Sequence, residues 1–153
     1  MRSIFKKITW GVGFMSVAGL ALAHSQSGSL GKKTTGAAAT DAYVVTCSDD
    51  DGGAGAPSRL IVHVKDNAPK LASIISTQVI KGGLATVPSI DNVDGDIKYS
   101  PSVSLKGGAG DYTVIINKSA AAVKGADSYT LEFHCQSASG AHAGTEWIAS
   151  QNQ

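Results

Sequence analysis

The residues of this chain best able to hold a transition metal are its four histidines, His24, His63, His134 and His142. Imidazole nitrogen suits Cu(II), and His24 gains a second donor if the chain is cut just before it. Its free α-amine and its ring would then grip one ion together, and one further histidine would complete a three-nitrogen site. A second constellation is Asp91-Asn92-Val93-Asp94-Gly95-Asp96, in which Asp91, Asp94 and Asp96 offer the hard oxygen donors that Ca²⁺ prefers. A twelve-residue calcium loop counted from Asp91 would end on a bidentate glutamate, and Ser102 stands there instead. A turn closed by Asp and Asn side chains accounts for the same letters without an ion. Asp49-Asp50-Asp51 reads as a solvated loop.

Covalent catalysis finds no comparable signal. Serines and aspartates are plentiful, yet no G-x-S-x-G elbow marks one serine as a nucleophile. Glycoside hydrolysis needs two carboxylates in contrasting environments, and Glu132 on an outward strand face and Glu146 near the end of the chain do not supply them. Tyr99 and Trp147 are too few for an aromatic sugar platform. The chain reads as non-enzymatic.

The elements that position these residues begin after a leader. MRSIFKKITWGVGFMSVAGLALA carries Arg2, Lys6 and Lys7, then an apolar stretch, then Ala21-Leu22-Ala23, the layout of a secretory signal peptide over residues 1–23. The stretch is shorter than the roughly 20 apolar residues of a spanning helix, so the processed chain has no expected membrane span. Its expected location is periplasmic or extracellular. Removal of the leader turns thirteen basic against twelve acidic residues into ten against twelve. A slightly acidic product lacks the basic surface that nucleic-acid binding requires.

Two alternating runs dominate the rest: Tyr112/Val114/Ile116, and Tyr129/Leu131/Phe133/Cys135. Period-two alternation gives each a buried face, with Thr130, Glu132 and His134 on the opposite side. Cys135 therefore falls inside, and so does Cys47 in the run Tyr43/Val45/Cys47. In an oxidising compartment two inward cysteines without C-x-x-C spacing predict a disulfide. Further strands are expected at Arg59–Lys65 (with His63 facing outward), Leu71–Ile80, Leu84–Val87 and Ser102–Leu105. About seven short strands and no helix predict an antiparallel β-sandwich over 41–137. Residues 24–40 read as a flexible tether and 138–153 as a C-terminal loop and tail.

An early and a late cysteine strand look like the bridge of immunoglobulin-type sandwiches, but Trp147 lies after the second cysteine and the packing tryptophan of that family is missing. The pattern GGAGDYTVIIN followed by SYTLEF resembles the secreted β-sandwich modules of the pre-peptidase C-terminal type found on bacterial exported enzymes, which implies a non-catalytic binding role. A terminal-histidine brace is similar to the copper site of lytic polysaccharide monooxygenases, which would imply a copper-binding protein or small copper enzyme. Three functions follow as expectations: an exported binding or surface-associated protein whose partner is an unknown ligand or cell-surface component, a copper protein built on His24, or a structural subunit that self-assembles through its sheet edges.

Overall fold

The structure, a computed structural model, describes residues 24–49 and 55–153; the leader, 1–23, lies outside the described residues. It is all-β. The strands are β1 (His24–Leu30), β2 (Ala39–Ser48), β3 (Pro57–Asp66), β4 (Ile75–Lys81), β5 (Leu84–Ala85), β6 (Ser89–Asp91), β7 (Val103–Lys106), β8 (Gly110–Lys118), β9 (Asp127–Ser137) and β10 (Gly144–Gln151). Two sheets face each other. One has the order β1-β9-β3-β7, the other β10-β2-β8-β4-β5 with β6 paired to β4, and every pairing is antiparallel.

Alternation builds the core. Leu60, Val62 and Val64 of β3 and Tyr129, Leu131, Phe133 and Cys135 of β9 meet Tyr43, Val45 and Cys47 of β2 and Tyr112, Val114 and Ile116 of β8, all buried. Cys47 and Cys135 form the expected disulfide between the two sheets, with Cα atoms 5.6 Å apart. At Lys81-Gly82-Gly83-Leu84 the chain reverses through two glycines, and Gly82 takes φ +56°, a left-handed setting that costs a residue with Cβ more than it costs glycine.

The structure corrects the expected boundaries. Among the described residues ten strands replace about seven. Part of the expected tether is a strand: β1 pairs with β9 from His24↔Phe133 to Leu30↔Asp127, and its exposed serines 25, 27 and 29 alternate with Gln26, Gly28 and Leu30. The expected tail is also a strand, β10, paired with β2 from Gly144↔Ser48 to Gln151↔Ala42. An edge strand needs main-chain partners on one side only, so six of its eight residues stay exposed, and hydrophobic patterning does not announce it.

A polar link crosses the core near the opposite end from the disulfide. The Tyr129 hydroxyl donates to Asp41 Oδ2 at 2.6 Å and lies 2.6 Å from the Tyr43 hydroxyl. Gly28 packs over this ring so closely that a Cβ there would stand 2.3 Å from Tyr129 Cζ. Burial, with Asp41 and Tyr43 adding to it, raises the Tyr129 pKa far above the usual phenol range.

Two stability outcomes follow. Gly28→Ala should lower unfolding free energy by about 1–3 kcal/mol through overpacking, measured by urea denaturation, whereas Ser27→Ala on the outer face should change it by less than about 0.5 kcal/mol. The Cys47→Ala/Cys135→Ala double variant, which opens an 88-residue span, should lose about 2–5 kcal/mol in the same assay.

Candidate functional site

The outer face of the four-stranded sheet carries the most organised group of side chains. Cross-strand register sets His63 of β3 opposite Glu132 of β9, and His63 Nε2 lies 2.9 Å from Glu132 Oε2. The loop after β6 brings Tyr99 across the same spot: its hydroxyl donates to Glu132 Oε1 at 2.6 Å and its ring stacks on His63 with centroids 4.4 Å apart. Lys65 Nζ sits 5.1 Å from the Tyr99 centroid. Ser102 Oγ lies 3.3 Å from His63 Nδ1. One carboxylate thus organises a hydroxyl, an imidazole and, through the imidazole, a second hydroxyl.

Charge follows this geometry. Partial burial pulls Glu132 upward, but the bonds from Tyr99 and His63 outweigh it and hold the carboxyl below its ordinary value. Tyr99 is pushed up to about 12 by burial and by the same carboxylate. Beside Tyr99 runs a cleft of about 170 Å³ whose lining includes Ile90, Asn92, Val93, Lys98 and Pro101.

A serine, a histidine and a carboxylate in sequence suggest a nucleophile, base and orienting acid. Ser102 is exposed just before β7, its contact with His63 is at the long end of hydrogen bonding, and it does not line the cleft. The contacts hold His63, Glu132 and Tyr99 in fixed positions, with Ser102 at their margin.

His24 and the three histidines offered as its copper partners are not gathered into one ligand set among the described residues. His24 stands opposite Phe133 on the inner-facing side of its strand, the rings 6.0 Å apart. His63 is bound to Glu132. His134 stacks on His142 with centroids 4.6 Å apart, and its Nε2 lies 3.0 Å from Gln136 Nε2. Both His63 and His134 face outward, as expected from alternation. Burial holds the His134 ring below the ordinary imidazole range, and the neighbouring His142 adds to the effect.

The acidic loop is rearranged in a more informative way. Asp96 is taken up by its own turn, accepting from the Lys98 N–H at 2.7 Å. Asp91 and Asp94 instead turn toward two aspartates at strand ends, Asp66 and Asp127. Asp91 Oδ2 accepts from the Asp66 N–H at 2.7 Å and Asp94 Oδ2 from the Ala72 N–H at 2.8 Å, while the Ser73 hydroxyl donates to Asp127 Oδ2. Burial pushes the Asp66 carboxyl up to about 8, helped first by the charge of Asp127 and then by Asp94 and Asp91. Among the described residues no three histidine, cysteine or acidic side chains stand arranged to hold a metal ion.

Sequence reasoning missed Tyr99 and Ser102 as partners of His63, because their loop's path is not written in any period. It also missed Asp66 and Asp127, for which a signal existed: each continues the inward parity of its strand by one step, Asp66 after Leu60/Val62/Val64 and Asp127 before Tyr129/Leu131.

For His134 the linkage has a definite sign. A histidine whose folded pKa is depressed stabilises the fold above its unfolded pKa of about 6.5 and loses that contribution as pH falls through it. Thermal unfolding should therefore drop by a few degrees between pH 7 and pH 5, and His134→Gln should flatten that drop. Comparison with protein-family models, with curated proteins and with solved structures returns no match for this chain.

Proposed function

We infer that the chain is an exported, non-catalytic binding protein that uses the outer face of its four-stranded sheet to hold a hydroxyl-rich polymer in the periplasm or outside the cell. The observation that carries this reading is the His63–Glu132–Tyr99 array, fixed before any ligand arrives by bonds of 2.9 and 2.6 Å. Side chains already locked in place lose little entropy on binding. Around the array the same face presents Arg59, Lys65, Gln136 and the exposed serines of β1, so donors and acceptors alternate and the two basic side chains are offset in part by Glu132. Such a surface suits neutral, polyhydroxylic material better than a polyanion, which calls for a basic field. A leader-like amino end supports export. So does the disulfide, which is compatible with an oxidising compartment. Among the described residues no helix is long and apolar enough to cross a membrane.

A second reading, a structural subunit joined through sheet edges, draws on one observation. β1 and β10 each form one edge of their sheet, opposite β7 and β5, and Ile148 on β10 is 65% exposed. Unpaired edges are templates for another chain. A single monomeric peak in size-exclusion chromatography at millimolar concentration would remove this reading.

The binding reading is tested by sedimenting the processed chain with insoluble peptidoglycan, chitin and cellulose. Retention on at least one polymer is expected, weakened about tenfold or more by Glu132→Gln and by Arg59→Ala, a loss of about 1.4 kcal/mol, and unchanged by Ile148→Ser. No retention on any of the three, or retention indifferent to both outer-face variants, defeats it.

A further inference from the structure

The acidic end of the sandwich adjoins the cleft beside Tyr99, which Asp91 and Asp96 also line, but has its own chemistry. Asp66 and Asp127 are 0% exposed and Asp91 is 6% exposed. Their oxygens divide into two kinds. Both oxygens of Asp91 and one each of Asp94 and Asp127 are pinned by a donor: Asp91 by the N–H groups of Asp66 and Val93, Asp94 by that of Ala72, Asp127 by the Ser73 hydroxyl. The others, Asp66 Oδ1 and Oδ2, Asp94 Oδ1 and Asp127 Oδ1, are buried and reach no N–H, hydroxyl or cationic donor, and the Asp66 and Asp127 carboxyls stand within hydrogen-bonding reach of each other instead. Buried carboxylate oxygens without donors are costly, and charged ones more so, unless a positive charge meets them.

No basic side chain does this. Among the described residues the one ion pair within 4.0 Å is His63–Glu132 on the outer face. Lys118, buried in the same region of the molecule, donates to the Gly125 carbonyl at 2.7 Å. One proton shared by Asp66 and Asp127 would relieve that contact and leave the free oxygen of Asp94 unmet. A cation offers more than one coordination place at once. The free donors are all carboxylate oxygens, from three separated segments of chain, which excludes soft metals and matches the irregular oxygen shells of calcium better than the strict octahedron of magnesium.

We propose that Asp66, Asp94 and Asp127 bind one hard divalent cation of the calcium type at this end of the sandwich, with Asp91 positioning Asp66 through its backbone. As they stand the three carboxylates are not closed round a point, so binding turns their free oxygens inward and draws the loops 66–73 and 91–96 together. That set differs from the loop triad Asp91, Asp94 and Asp96 in its first and last members, and the difference is what an experiment reads.

The processed chain, stripped with a chelator and passed into metal-free buffer, is titrated with calcium chloride alone and, in parallel, with magnesium chloride. The proposal expects one-to-one calcium binding by calorimetry and a rise of at least about 4 °C in Tm at saturation, with magnesium at least tenfold weaker. Asp66→Asn and Asp127→Asn should each weaken calcium binding tenfold or more while keeping a cooperative unfolding transition in metal-free buffer, and Asp96→Asn should bind as the parent does. Absence of a calcium isotherm and of any Tm shift at 10 mM calcium overturns the proposal. So does a loss on Asp96→Asn equal to that on Asp66→Asn, which would place the ion in the loop alone. Retention on polysaccharide is read separately, so the two readings stand or fall independently.

Discussion

The hydroxyl of Tyr129 is the point on which the two sheets agree. It belongs to β9 in one sheet and is bound to Asp41 and lies beside Tyr43 in the other, in a region sealed from water. A buried hydroxyl left without a partner is expensive, so only one relative placement of the sheets satisfies all three groups. Leucine and valine packing tolerates small slips; this triad does not. The disulfide performs the same task covalently near the other end of β2 and β9, so the sandwich is fixed at two separated points by two kinds of bond.

A pattern connects these points with the charged end. The central strands keep their inward parity past the hydrophobic run and finish on a polar residue: Asp41 at the start of β2, Asp66 at the end of β3, Lys118 at the end of β8, Asp127 at the start of β9, every one of them buried. Antiparallel pairing places Ala39 opposite Lys118 and Asp66 opposite Tyr129, so these residues share one end of the molecule. The interior is apolar in the middle and ionic at that end. This division explains why the core looks ordinary in composition while its margin carries a carboxyl pushed to about 8.

Alternation made the sandwich, the inward cysteines and the outward His63 and His134 legible, because burial against a second sheet leaves a mark at every other residue. β1 left no such mark. Its inward positions are His24, Gln26, Gly28 and Leu30, of which only Leu30 is a buried apolar side chain, and Gly28 is kept small because the Tyr129 ring occupies the space a larger side chain would need. β10 escaped for a different reason: Trp147 is its one large apolar side chain turned toward the interior, Thr145 reaches in as a hydroxyl that accepts from the Cys135 N–H, and the strand is otherwise held by bonds to β2. The outer-face group was invisible because it depends on long-range register. Tyr99 and Glu132 are 33 residues apart and meet only when the loop after β6 folds back over β9. In the acidic loop, composition was read correctly as oxygen-rich, but which oxygens face inward depends on Ala72 and Ser73, whose N–H and hydroxyl sort the carboxylates into held and free.

Trp147, the sole tryptophan among the described residues, is seated edge-on to Tyr43 of one sheet and Phe133 of the other, at centroid distances of 5.7 and 6.3 Å. Its indole therefore straddles the seam, part wet and part shielded. A chromophore in that position converts separation of the layers into a change of emission colour and intensity, because Phe133 leaves with the other sheet while Tyr43 stays beside the indole in its own. The molecule carries its own optical gauge of whether its two halves are closed.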